Sequence, residues 1–452
     1  MNTPIKIQIV SRDIPIENTI GNATYILDFM RYLRKAGCKI EFVFLNSSPN
    51  GRFPWYIIPP AIAELANVSA KDNLRIGRIL VRFNPLSNLV AELLRPIYNQ
   101  LPKMLKNIYR SYRDRRQEKP IYKYGVSSQP WDTLASLEEI SFANLRFVKF
   151  KPDVVVVNYA FLSDILCSHF LNEKVLKVIL THDVRSQRSA HFKKLNFSTF
   201  ESYWSVEQEI IALSKAQLLL AIQQEDVNIF KELVPQCDVI RMPISAVCHS
   251  HTVKQIAGRC LFVGSATDHN YYGLQWFLEN VWPIIVRLIP NCTLHVCGSV
   301  CDLIQGTFPN VRFLGRVEDL KPEYSAAEVC LVPLVAGSGL KIKLVEAMSY
   351  ARACVSTSVG VQGLHEIVDK TVLTADQSED FALAIHTLLT NPGKRQWMEE
   401  QAYRYVTEKL SPQAVYQPFI DYIHQYLQPG SRRTQKVKTK ETEDLSNVTS
   451  LL

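Results

Sequence analysis

The stretch from Val329 to Leu364, VCLVPLVAGSGLKIKLVEAMSYARACVSTSVGVQGL, constrains the fold more than any other, because it reads strand, glycine loop, helix, strand and loop in immediate succession. That order is one unit of a parallel α/β sheet. The apolar run Val329 to Leu334 contains Pro333, and Gly337-Ser338-Gly339 then lets the backbone turn sharply and approach a ligand closely. Behind the loop, Leu340, Leu344, Ala347, Met348 and Ala351 recur at three- and four-residue spacing, so one helix face packs on the sheet while Lys343 and Glu346 share another. Helix-terminal amides together with Lys341 and Lys343 suit a diphosphate, and a nearby carboxylate suits ribose hydroxyls. Spacing alone leaves a second reading open, in which the lysines are a solvated face and Glu346 a surface ion-pair partner. GSGLKIK is not a P-loop, and no G-x-G-x-x-G follows a strand.

At 452 residues, 47% apolar and 21% charged, the chain is long enough for two substantial cores. No apolar run reaches the roughly eighteen residues of a membrane span, and Ile5, Ile7 and Ile9 start a strand pattern without a signal-peptide core. The expected protein is soluble and cytoplasmic. The ten cysteines lie mostly in strand or helix patterns without paired C-x-x-C spacing, as small buried hydrophobes in a reducing compartment do, and His295, Cys297 and Cys301 make a poor metal cluster. No metal site is expected. The net charge of +8 is concentrated: Arg75 to Lys123 holds twelve Lys or Arg against three acids.

Taken in order, Lys6 to Val10 is a strand, Thr24 to Ala36 a helix stopped by Gly37, and Glu41 to Leu45 a second strand. Phe53 to about Ala143 interrupts the regular pattern. Within it Ile97, Leu101, Met104, Leu105, Ile108 and Tyr112 keep helical spacing with Lys103, Lys106, Arg110 and Arg113 between them. Such a basic amphipathic helix suits either docking on an anionic membrane surface or lipid-linked acceptor, or a flap packed on its own domain; both stay open. No zinc-finger or RNA-recognition motif accompanies the arginines, so no nucleic acid is expected. KPDVVVVN (151–158) and Val175 to Thr181 are buried-type parallel strands, the latter delivering His182-Asp183 at its carboxyl end, where open α/β sheets bind ligands. A helix over Tyr203 to Ser214 and a strand over Gln217 to Gln223 follow, and Arg241 to Ile244 ends the first domain. The second opens with the strand and small-residue loop of CLFVGSATDHN, then a helix over Tyr272 to Val286 and strands at Thr293 to Cys297 and Val311 to Leu314.

The loop, the "EAM" helix and the Gly360-Val361-Gln362-Gly363 loop resemble the donor half of retaining glycosyltransferases with two Rossmann-like domains, the GT-B architecture, most nearly family 4; KVILTHDVRSQR resembles that family's strand ending in "HD". The resemblance covers most of Thr3 to Leu427 apart from the insertion. It implies an acceptor-side domain over 1–243 with a helical basic insertion at about 53–143, a donor domain over 244–410, a cleft between them, and a helix over 411–428 crossing back to the first domain. The tail 429–452, with few apolar residues, reads as disordered.

On the same resemblance Glu346 holds the ribose, and Gly264, Arg316, Gly337, Ser338, Gly339, Leu340, Gly360 and Gly363 line the nucleotide. His182 reaches the transferred sugar and forms the catalytic set with Lys341 and Lys343. Gly21, Asn22, Asp183 and Arg185 border the acceptor, and Arg188 is a further anion-binding candidate. Many members carry a glutamate eight positions before the ribose glutamate, where this chain has Ser338, and an Arg or Lys where it has Asp268, His269 and Asn270. The implied function is metal-independent transfer of a hexose from a nucleotide-diphosphate sugar to a glycan or lipid-linked acceptor, as in cell-surface polysaccharide or glycoconjugate synthesis. The nucleotide sugar is a substrate, so no cofactor is expected. Peripheral attachment to the inner face of the membrane would run through the basic insertion. The other readings are a sugar-nucleotide epimerase on the same scaffold and a catalytically silent lipid- or polymer-binding protein.

Overall fold

The computed structural model describes residues 3–16, 21–46, 55–82, 133–187, 204–249, 254–335 and 340–428. The first ten strands are β1 (Lys6–Ser11), β2 (Lys39–Phe44), β3 (Trp55–Ile57), β4 (Asn67–Ala70), β5 (Asn73–Ile76), β6 (Ile79–Arg82), β7 (Val154–Asn158), β8 (Leu176–Leu180), β9 (Leu218–Ala221) and β10 (Asp238–Arg241). Seven of them form one parallel sheet in the order β10-β9-β8-β7-β1-β2-β4. The remaining six strands are β11 (Arg259–Val263), β12 (Thr293–Cys297), β13 (Val311–Gly315), β14 (Val329–Val332), β15 (Ala353–Ser356) and β16 (Val372–Thr374). They form a second parallel sheet, β13-β12-β11-β14-β15-β16.

The central strands of each sheet are buried on both faces, which is why they are continuous apolar runs rather than alternating ones. Val154 and Val156 enter one hydrophobic cluster of the first domain while Val155 and Val157 enter the other. Cys260 and Phe262 likewise point opposite to Leu261 in the second domain. All ten cysteines are free, and burial pushes the Cys330 thiol up to about 12, so it packs as a neutral hydrophobe. His295 Nδ1 pairs with Glu323 at 2.7 Å, and no group of three potential metal ligands occurs among the described residues. None of the described helices is long and apolar enough to cross a membrane.

The segment 55–82 departs from the helical insertion expected from sequence. It supplies β4 to the edge of the first sheet and, through β3, β6 and β5, a separate three-stranded antiparallel sheet. The reason is a period of two in Trp55-Tyr56-Ile57 and Leu74-Arg75-Ile76, with Gly77 at φ +60° making the turn before Ile79. The expected amphipathic helix over 97–112 and the tail 429–452 lie outside the described residues.

The helix Pro412–Leu427 starts at Ser411, whose side chain accepts the Ala414 N–H, and packs on the first domain. Tyr416 and Phe419 sit 5.6 and 5.3 Å from the Phe29 ring, and the Tyr416 hydroxyl bonds Ser245 Oγ at 3.0 Å. The turn before it, Val406–Leu410, buries Val406 and Leu410 in the core of the second domain. One continuous segment therefore ties the two cores together. Phe419→Ala should destabilise the protein by about 3 kcal/mol or more, because a fully buried ring leaves a cavity on removal. Thermal or denaturant unfolding of the variant checks this.

Candidate functional site

β8 and β9 are neighbours, and their carboxyl ends carry His182 and Gln223. His182 is buried and adopts φ +65°, a left-handed conformation in which a non-glycine residue is held by its surroundings. Its ring stacks on Tyr159 at 4.1 Å and meets Tyr25 edge-on at 5.7 Å. Asn158 Nδ2 donates to Ser11 Oγ, so Asn158 Oδ1 faces the imidazole and accepts the His182 Nε2–H at 2.6 Å. That fixes the tautomer and leaves the Nδ1 lone pair buried and unpartnered. Burial holds the imidazole pKa down at about 4, with Asp183 opposing the shift. At neutral pH His182 is thus an uncharged acceptor suited to a substrate hydroxyl.

In the second domain, the helix Ile342–Ser349 follows directly on Lys341. Neither lysine belongs to a solvated face. Lys341 is 8% exposed and donates to Gln362 Oε1 at 3.5 Å; Lys343 donates to Asn270 Oδ1 at 2.5 Å and lies 4.5 Å over the Phe262 ring. Lys343 has no carboxylate within ion-pair distance among the described residues. Burial lowers Lys341 to about 8; burial, then the Lys341 charge, lowers Lys343 to about 7. Glu346, one turn along, is raised by burial, and its Oε2 accepts the buried Tyr324 hydroxyl at 3.0 Å. Two desolvated cations next to a braced carboxylate make a site for an anion bearing hydroxyls.

Glycines bring the surrounding loops together. A Cβ on Gly298, at φ +104°, would stand 2.1 Å from Gly264 O, so the ends of β11 and β12 close only without that side chain. Gly264 itself is pressed on the Phe262 ring. Gly360 abuts Ser356 Oγ and Val332 O at the ends of β15 and β14. Gly363 is where the lobes meet: a Cβ there would lie 2.5 Å from Gln223 Oε1 and 3.3 Å from Leu340 Cδ1. Leu340 packs against clusters of both domains, and Arg241 pairs with Glu366 at 3.1 Å nearby. The histidine end of the first sheet therefore faces the loops of the second.

Of the residues proposed from sequence, Lys341, Lys343, Glu346, Leu340, Gly264, Gly360 and Gly363 are gathered at the carboxyl ends of the second sheet. Gly337, Ser338, Gly339 and Arg188 lie outside the described residues. Arg316 is exposed just after β13. Gly21 and Asn22 open the helix Gly21–Lys35. Asp183, partly buried, sits beside His182, and its charge helps burial push Asp226 up to about 7. Arg185 is buried, its guanidinium 5.2 Å from the Phe161 ring and 4.7 Å from the Trp204 ring. The expected loop Asp268–Asn270 is the first turn of a helix, Asp268–Trp276, which lets Asn270 Nδ2 bond Ser265 O while Oδ1 takes Lys343. Asn158, Tyr159, Tyr324, Phe262 and Gln223 carry no sequence signal, since each acts on a residue distant in the chain.

Residues 257–391 match the family described as "Glycosyl transferases group 1". A stretch of 168 residues, 34% of the chain, is 24% identical to an uncharacterized 44.6 kDa protein in the cps region of Klebsiella pneumoniae and spans 43% of that protein's length. The whole architecture superposes on sucrose-phosphate synthase from Thermosynechococcus elongatus with a TM-score of 0.60 at 13% identity, over 93% of this chain and 98% of the other. It likewise superposes on the pneumococcal O-GlcNAc transferase GtfA in complex with UDP and GlcNAc, TM-score 0.57 at 10% identity, over 95% and 100%. The chain has the GT-B fold.

His182 makes a pH-dependent contribution to stability whose sign follows from its depressed pKa. The unfolded chain takes up a proton near the ordinary histidine value of about 6.5, whereas the folded imidazole resists protonation down to about 4. Its contribution is complete above pH ~6.5 and erodes as pH falls toward the folded value. Denaturant midpoints of His182→Asn, a residue that tolerates left-handed φ, should fall less than wild type between neutral pH and about pH 5.

Proposed function

We propose that this protein is a metal-independent, retaining hexosyltransferase of the family 4 kind, moving a sugar from a nucleotide-diphosphate donor to a glycan or lipid-linked acceptor. The observation that carries the reading is the pair of desolvated lysines, Lys341 and Lys343, beside Glu346, on the lobe whose Gly363 loop meets the strand ends bearing His182. The relative from a cps region favours a polysaccharide as the product, and the UDP bound to GtfA favours a nucleotide donor.

Breaking the anomeric bond places charge on the departing diphosphate and leaves an oxocarbenium-like sugar. Lys343 and Lys341 meet the first need, acting from a low-dielectric site where charge stabilisation is strong. Glu346, with Oε2 engaged by Tyr324, offers Oε1 to ribose hydroxyls. His182 Nδ1 accepts a hydroxyl of the transferred sugar without adding positive charge near the oxocarbenium ion. Retention comes from front-face attack guided by the leaving phosphate, so no protein nucleophile is needed. The chain has no D-x-D pair of the kind that holds a metal on the diphosphate.

Four measurements test this reading. Glu346→Ala should weaken nucleotide binding by roughly ten- to a hundredfold, the worth of a hydrogen bond to a charged group. Lys343→Met should lower turnover about a hundredfold or more. Near pH 8 the unliganded Lys343 amine is mostly neutral, so nucleotide binding should take up a proton, more at pH 8 than at pH 6. Calorimetry in buffers of different ionisation enthalpy reads this uptake, and Lys343→Met should reduce it, leaving the share of Lys341. Slow sugar release from a panel of nucleotide sugars, unaffected by chelator, supports transfer; epimer formation or absence of nucleotide binding removes it.

A further inference from the structure

The Lys343 ammonium meets a single hydrogen-bond partner among the described residues, and that partner is an amide. Its Nζ donates to Asn270 Oδ1 at 2.5 Å and lies 4.5 Å from the centre of the Phe262 ring. An ammonium has three N–H groups, so two remain for an incoming anion. The direction of the amide is fixed from its other side, where Nδ2 donates to Ser265 O at 3.0 Å and to Ser265 Oγ at 3.3 Å. A flipped amide would turn Oδ1 toward the Ser265 carbonyl and Nδ2 toward the ammonium, losing both sets of contacts. The backbone beneath is equally constrained. Asn270 is buried in the first turn of the helix Asp268–Trp276, and its N–H bonds Thr267 O at 3.0 Å. A Cβ on Gly273 of that helix would stand 2.4 Å from Pro333 O, so the helix lies directly on the backbone that follows β14. Leu274 anchors it in the core of the second domain. One helix thus holds an acceptor in a set place for a lysine 73 residues further along the chain.

A carboxylate in the position of this amide would grip the lysine more strongly, adding charge attraction to the hydrogen bond. It would also neutralise the ammonium before any substrate arrived. An amide directs the lysine without neutralising it. We propose that Asn270 is a positioning residue, aiming Lys343 at the donor diphosphate while leaving the ammonium charge for that anion. Other titratable groups lie close. Lys341 opposes the charge on Lys343 and Glu346 favours it, but Glu346 forms no ion pair with it and is engaged by the Tyr324 hydroxyl. Burial and the charges of both lysines hold the His269 imidazole below its ordinary value, with Asp268 opposing. The proposal takes its ligand from the transferase reading, and Lys343→Met separates the two.

The experiment uses the full chain with inorganic pyrophosphate and UDP as probes. Asn270→Asp should weaken both by about tenfold or more, because the new carboxylate neutralises Lys343 and repels phosphate. Asn270→Ala should weaken both by about three- to tenfold, the effect of freeing one long side chain. In the Lys343→Met background Asn270→Ala should change affinity no further, since the two residues act as a unit. Competitive acetylation of the unliganded protein, read by mass spectrometry as a function of pH, follows Lys343 directly. Its amine should titrate near pH 7 in wild type and about a pH unit or more higher in Asn270→Asp, but no higher in Asn270→Ala. A merely structural asparagine would leave that titration in place, and the Ala variant keeps the test open if Asn270→Asp folds poorly. Wild-type affinity in folded Asn270→Asp, an unmoved Lys343 titration in it, or an additive effect of Asn270→Ala on Lys343→Met overturns the proposal. If Lys343→Met still weakens binding, the transferase reading survives that outcome. Binding of neither probe to wild type, or equal binding by Lys343→Met, removes both.

Discussion

Gln223 stands where a side chain at Gly363 would be, and the meeting of the two lobes depends on that close approach. Gln223 leaves the carboxyl end of β9, next to the strand that presents His182, while Gly363 ends the loop after β15 and touches Leu340 at the entrance of the lysine helix. Gly360 closes the same loop onto Val332 and Ser356. Any Cβ at Gly363 would push the lobes apart unless Gln223 withdrew, and φ +81° already disfavours one. The helix Pro412–Leu427 reinforces this arrangement from behind by burying its aromatics in the opposite core.

The chemistry of the gap follows from how little water its charged groups retain. Lys343 is held by a neutral amide and an aromatic ring, and the nearby Glu346 charge only partly offsets its burial, so its proton affinity falls. Across from it, His182 is kept neutral by the same physics and aimed by Asn158. One lobe thus supplies positive charge that strengthens when an anion arrives, and the other an uncharged acceptor.

Much of this was legible in sequence because it is local. The apolar runs of Val154 to Val157 and Val329 to Val332 announce strands buried on both faces, and Gly360 and Gly363 announce a tight loop. The segment 55–82 was harder to read because its strands are short and its basic residues imitate the pattern of an exposed helix; the long-range pairing of β3 with β6 settles it. The packing of Arg185 on Phe161 and Trp204, by contrast, has no local signal. Asn270 lay within the segment taken as a neutral loop, and only its place in a helix turn reveals that it holds Lys343.

The sequence by itself determined the parallel α/β class, the glycine loops, and the presence of Lys341, Lys343, Glu346 and His182 near strand ends, because these follow from periodicity and from where such folds bind ligands. Tertiary structure alone decided that both lysines are desolvated and which nitrogen of His182 is engaged by Asn158. Those properties depend on neighbours far apart in the chain, Phe262 and Asn158 among them, and contacts of that kind exist only after the chain has closed on itself.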